Sequence, residues 1–168
     1  MKVYSHQNGV GLMEVLVALL ILAIGVLGFV ALQYRAIEAS SEGENRIQAI
    51  NLARDVAEKI RSNRTAINAY TTDLSATGVA ELPSPNCFEG YCTPTQKASF
   101  DSALVQLSAT SMGMTVNMMT CPGVANSRRC IYVAWGDTAA TADGEDVDCT
   151  TEAGTYTPNS TCVVMEVY

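Results

Sequence analysis

Residues 15–32, VLVALLILAIGVLGFVAL, hold 18 side chains without a single charge. That is close to the ~20 apolar residues a helix needs to cross a bilayer, so this stretch is predicted to be a helix in lipid or in an equally apolar surrounding. A carboxylate, Glu14, stands at its entrance. A charge inside such a segment is disfavoured by about 2–3 kcal/mol at the helix centre and by less near its end, so Glu14 needs water or a partner. An ordinary secretory signal has a shorter apolar core, several basic residues before it and a small-x-small cleavage site after it. Here only Lys2 precedes the run, and the apolar stretch is longer.

The following segment, QYRAIEASSEGENRIQAINLARDVAEKIRSNR, keeps helix-forming composition, and the first proline of the chain is Pro83. Ala49, Ile50, Ala53, Val56, Ala57 and Ile60 fall on one helical face, with Glu44, Gln48, Asn51, Asp55, Glu58 and Lys59 on the other. One helix from about residue 10 to about residue 64 is therefore expected, roughly 80 Å long at 1.5 Å per residue. Its first half is apolar all round and its second half is one-sided. Gly25, Gly28 and Gly43 are its weak points, each costing about 1 kcal/mol against alanine.

Charge and cysteine usage bound the remainder. Residues 65–168 carry three basic side chains against eleven acidic ones, which offers no surface for neutralising phosphates, so no direct nucleic-acid binding is expected. Six cysteines (Cys87, Cys92, Cys121, Cys130, Cys149, Cys162) all lie behind the membrane segment, a pattern that points to disulfides in an oxidising compartment. A zinc site is disfavoured, because no CxxC pair occurs and the sole histidine is His6. No metal or other cofactor is expected. Nor is an enzyme: no nucleophile-elbow sequence surrounds any serine, and no histidine lies beyond position 6.

Strand signals come late. MTVNMMTC (114–121) and RCIYVAWG (129–136) flank PGVANSR, which has turn composition, and TCVVMEVY (161–168) reads as a third strand. The three are expected to form an antiparallel sheet against the one-sided half of the helix, with Cys121 facing Cys130 across the hairpin. Residues 62–127 read mostly as loop, with one short helix at FDSALVQLSAT (100–110). Six cysteines allow fifteen pairings, and only Cys121–Cys130 has a register argument; local pairing gives Cys87–Cys92 and Cys149–Cys162 as the companions. Asp143, Glu145, Asp146 and Asp148 supply closely spaced oxygens of the kind calcium takes, although the acidic loop 137–148 fits no EF-hand spacing and reads as a solvated loop. The triplets at Asn63 and Asn159 fit the glycosylation pattern and are read as chance.

The string GVGLMEVLVALL, residues 9–20, resembles the processing site of type IV prepilins and pseudopilins, where a short leader ends in glycine and the fifth residue after the cut is glutamate. With CIYVAWGDT and CVVMEVY near the end, the chain is similar to minor pilins of type IV pili of the PilV type. The resemblance implies an α+β pilin fold: a long N-terminal helix packed by its second half on a small antiparallel sheet with disulfide-bonded loops. It implies removal of residues 1–9 by a prepilin peptidase cutting between Gly9 and Val10, and N-methylation of Val10. Residues 10–34 would then form the membrane and filament-core half of the helix and residues 35–168 the periplasmic domain. Glu14 would act in subunit assembly by pairing with a neighbour's terminal amine. Other minor pilins and the major pilin are the implied partners. The implied location is a single pass of the bacterial inner membrane, then the pilus and cell surface, and the implied processes are pilus initiation or tipping, adhesion and motility. A minor pseudopilin of a type II secretion system is the alternative. Valine at position 10 and glycine at position 11 depart from the commoner phenylalanine and threonine or serine.

Overall fold

The computed structural model describes residues 9, 11–76, 81–124 and 127–167. The expected leader residues 1–8 and the expected new terminus Val10 lie outside the described residues, as do Ala125 and Asn126 of the hairpin turn. Helix α1 spans Leu12–Ser62; a 3-10 turn at Arg64–Ala66 leads into α2 (Ile67–Ser75); then come α3 (Pro94–Ser111) and strands β1 (Met114–Thr120), β2 (Arg129–Trp135) and β3 (Cys162–Val167). The chain divides into two compact units, residues 1–43 and residues 44–168.

In the first unit every described residue is exposed. Helix α1 runs through Gly25, Gly28 and Gly43 without interruption, and no atom lies within 4 Å of where a Cβ would sit on any of them. About 1 kcal/mol for each is a small cost for a helix of 51 residues.

The second unit is an α+β fold. Its sheet has the order β1-β2-β3 with both pairs antiparallel, as the strand pattern predicts. Ala49, Leu52, Ala53, Val56, Ala57 and Ile60 of α1 are buried in one cluster with Met118, Ile131 and Val133 of the sheet. Leu52 thus belongs to the buried face, and Ile50, expected there, is only half-buried. The two lie on opposite flanks of the Val56–Ile60 stripe, and the larger packing surface is on the Leu52 side. Burial of a side chain such as Val56 or Ile60 contributes about 1.5–3 kcal/mol, which makes this stripe the main attachment of the helix. On the exposed side, Lys59 pairs with Asp55 and Arg61 with Glu58, each at 2.7 Å, for a few tenths of a kcal/mol per pair.

More helix forms between residues 62 and 111 than the loop-like composition predicts. Helix α2 is anchored by Tyr70 and Leu74, an apolar i,i+4 pair that is 1 % exposed at both positions. Helix α3 begins six residues before the expected start, because Thr93 and Gln96 form a capping box around Pro94. It stops at Gly113, whose φ of 68° reverses the chain into β1.

The six cysteines form Cys87–Cys92, Cys121–Cys130 and Cys149–Cys162. Cys121 and Cys130 do not face each other, however. In the observed register Cys130 is opposite Met119, and Cys121 lies one pair beyond the last, Thr120 with Arg129. The bond is diagonal, with Cα atoms 5.0 Å apart, which works because residues 119 and 121 share a face of the strand. That face carries a second cluster, in which Cys130, Tyr132 and Ala134 are covered by Ala140, Ala142 and Cys149 of the long connection between β2 and β3. The connection is therefore packed through Ala140, Ala142 and residues 148–150 and held by Cys149–Cys162, while its Asp137, Asp143, Glu145 and Asp146 are exposed as a solvated acidic loop predicts. Closing a loop of that length stabilises the fold by about 3 kcal/mol through the unfolded state.

Candidate functional site

Two of the three expected N-terminal site residues are described. Gly9 is exposed and nonhelical, and Glu14 occupies the first turn of α1, where its backbone N–H donates to Gly11 O at 2.9 Å. A carboxylate in a first turn is favoured by the partial positive charge of the helix N-terminus. Among the described residues, no side chain pairs with the Glu14 carboxylate, and it is exposed. Behind it the helix offers an apolar window of mean hydropathy 3.1, none of it buried. A helix long and apolar enough to cross a membrane thus carries an exposed carboxylate in its first turn.

Among the described residues the globular unit presents no comparable reactive cluster, and the buried polar groups of Asn63, Tyr70, Asp101 and Asp148 are engaged within the fold. Tyr70 donates its hydroxyl hydrogen to Asp101 at 2.8 Å, and Lys97 lies 3.0 Å from the same carboxylate. Burial, followed by the hydrogen bond to Asp101, pushes the Tyr70 phenol well above its ordinary pKa, so it stays a donor. Asn63 donates to Pro94 O at 2.7 Å, joining the end of α1 to the start of α3. It is 9 % exposed and engaged, which agrees with reading its triplet as chance. Neither tie is legible in the sequence, since their partners are 31 residues apart.

Asp148, one of the four candidate calcium ligands, is 3 % exposed. Its carboxylate accepts from the Thr141 hydroxyl and, at 2.8 Å, from the Glu145 backbone N–H. Burial alone would raise its pKa, but Thr141 and the backbone N–H groups of Glu145, Asp143 and Gly144 outweigh it and hold the carboxyl below the ordinary aspartate value. Asp148 therefore pins the loop as an internal acceptor. Among the described residues no three His, Cys, Asp or Glu side chains are placed to hold a metal ion. Because its folded pKa is depressed, the stability Asp148 contributes is full above the ordinary carboxylate pKa and is lost as pH falls through the lowered value. Asp148→Ala is expected to destabilise the chain by about 2 kcal/mol at neutral pH, with the gap to wild type closing in acid. Urea unfolding at the two pH values checks this; a gap that does not change with pH would remove the carboxylate from the explanation.

Two family models match the N-terminal part of the chain. Residues 4–30 match the family model described as the prokaryotic N-terminal methylation motif, and residues 31–103 match that described as type IV pilin Tt1218. The chain carries a type IV pilin domain behind an N-terminal methylation motif. The motif covers Gly9, Val10 and Glu14, and the pilin match continues through α2 and most of α3. The sheet and two of the disulfides lie beyond the matched residues, and their α+β arrangement fits a pilin. No curated protein and no solved structure matches the chain. A pilin with a prepilin leader is processed by a prepilin peptidase and assembled with other pilins, and the apolar helix fits membrane anchoring before that step.

Proposed function

We propose that this chain is a minor pilin of the PilV type, which helps to initiate, prime or tip a type IV pilus. It waits in the bacterial inner membrane as a single-pass protein with residues 35–168 in the periplasm. Prepilin peptidase cuts between Gly9 and Val10, Val10 is methylated, and the helix then moves from lipid into the filament core among other minor pilins and the major pilin. Its role is structural and catalyses no reaction; adhesion and twitching motility are its consequences.

One observation carries this reading: a helix whose apolar window is wholly exposed opens with Glu14, which has no side-chain partner among the described residues, and continues into a disulfide-bonded α+β unit. Such a helix is stable only in lipid or in a sleeve of similar helices, and the carboxylate at its entrance sets where the next subunit begins. Deleting the gene tests the reading. Surface pilus number should fall sharply, and the wild-type protein should be found in sheared pili at far lower abundance than the major pilin. Normal pili with blocked protein secretion would instead assign the chain to a type II secretion pseudopilus.

A further inference from the structure

The short stretch CFEGYC, residues 87–92, turns two aromatic rings to solvent: Phe88 is 75 % exposed and Tyr91 is 91 % exposed. Tyr91 is more exposed than any other large apolar side chain among the described residues, those of the apolar half of α1 included. Single exposed apolar side chains are ordinary on a folded surface, but two open aromatic rings three positions apart mark a contact surface.

The turn that carries the rings is fixed from several sides. Cys87 and Cys92 close it, and the backbone N–H groups of Glu89 and Gly90 both donate to Asn86 O, at 3.1 and 3.2 Å. The Asn86 side chain accepts from Phe88 N–H at 3.0 Å. Phe88 meets the buried Phe100 of α3 with ring centroids 5.0 Å apart and planes nearly perpendicular. The rings are thus ordered before any partner arrives, which lowers the entropic cost of binding. No atom lies within 4 Å of where a Cβ would sit on Gly90, so the turn protrudes and lines no cleft.

Charge narrows what can meet it. Between Thr65 and Gln96 the charged side chains are Asp73, Glu81 and Glu89, with no lysine or arginine, and both glutamates are exposed. We propose that the turn 87–92 is a docking knob for another protein, one whose surface holds an apolar pocket rimmed by lysine or arginine. Phe88 and Tyr91 enter the pocket, where aromatic side chains bury large apolar areas, and a rim cation meets Glu89 and the open ring faces. Anionic lipid headgroups would be repelled by Glu81 and Glu89. A second copy of this chain is a poor match, because residues 65–168 carry three basic side chains against eleven acidic ones. A small molecule needs walls around it to be buried, which a protruding turn lacks. This surface is separate from the N-terminal helix and does not depend on the proposed place in a pilus.

Site-specific photocrosslinking of the full chain in cells that make it tests the knob. p-Benzoylphenylalanine, which keeps an aromatic ring, replaces Tyr91 in one chain and Val147, another exposed apolar residue, in a control chain. Irradiation should join position 91 to one contiguous stretch of a different protein that combines apolar residues with net positive charge, and the reporter at position 147 should not trap that stretch. Glu89→Lys should lower the adduct about tenfold by setting like charges together, and Glu89→Gln should lower it less. Both variants should unfold at the wild-type temperature, because the Glu89 side chain is exposed and its backbone N–H keeps Asn86 O as acceptor. No adduct, an adduct to lipid or to a second copy of this chain, an adduct on a neutral or acidic stretch, the same stretch trapped from position 147, or a yield unmoved by Glu89→Lys would each overturn the proposal.

Discussion

A chain carrying Gly9→Leu is expected to accumulate at full length, heavier than the wild-type product by the nine leader residues, and to be missing from the pilus. Nothing inside the protein asks for glycine here. Gly9 is exposed, its φ is not in the left-handed region, and no atom lies within 4 Å of where a Cβ would stand. The fold should therefore tolerate leucine, and any loss must arise where another molecule reads this backbone. A peptidase that binds an extended chain at the membrane surface has to approach the scissile bond closely, which glycine allows and a branched side chain obstructs. Gly11 is equally uncrowded, so Gly11→Leu serves as a control for bulk near the cut. Immunoblotting of membrane and sheared fractions reads both results. Normal mature size in the Gly9→Leu chain would refute the assigned cleavage.

Replacing Glu14 should separate processing from assembly. With Glu14→Ala the leader is expected to be removed as in wild type, because the carboxylate lies beyond the cut and α1 gains a better helix former. Incorporation into filaments should fall by roughly a hundredfold to a few thousandfold. That estimate follows from removing one member of a buried ion pair, which costs about 3–5 kcal/mol by stranding the other charge, here a neighbour's terminal amine. Glu14→Gln keeps size and hydrogen-bonding capacity but loses the charge, so it should assemble nearly as poorly if pairing with an amine is the reason. Quantifying the chain in sheared pili against its membrane pool checks both variants. Unchanged incorporation of Glu14→Ala would remove the pairing role.

What could be read from the sequence follows from how local each signal is. The uncharged run and the i, i+3, i+4 spacing after it predict α1 to within two residues of its observed ends, because both patterns lie in consecutive residues. Alternation of β-branched residues places the three strands for the same reason. Helix α2 was hidden because INAYTTDLS is only nine residues long and mixes Ile67, Ala69, Tyr70 and Leu74 with polar residues; it forms through what it packs against. The start of α3 was legible in principle, since Thr93-Pro94-Thr95-Gln96 spells a capping box, although its loop-like neighbourhood obscured it. The diagonal Cys121–Cys130 bond shows what register adds to spacing: two cysteines nine apart can be joined at a hairpin mouth without being opposite. Asp148 had to be seen in place, because a run of acidic residues looks solvated until one of them turns inward to collect backbone donors.

At the N-terminus, GVGLMEVL carries the whole of the proposed site within a few consecutive residues, and the structure adds that Gly9 and Glu14 are both exposed. The roles proposed for them therefore rest on contacts with other molecules, and a chemical measurement on the mature chain examines them best. N-terminal sequencing and intact mass spectrometry of the protein recovered from sheared pili should find a chain that begins at Val10 and carries one added methyl group. A chain beginning at Met1, or cut behind the apolar run after residue 32, would contradict the account.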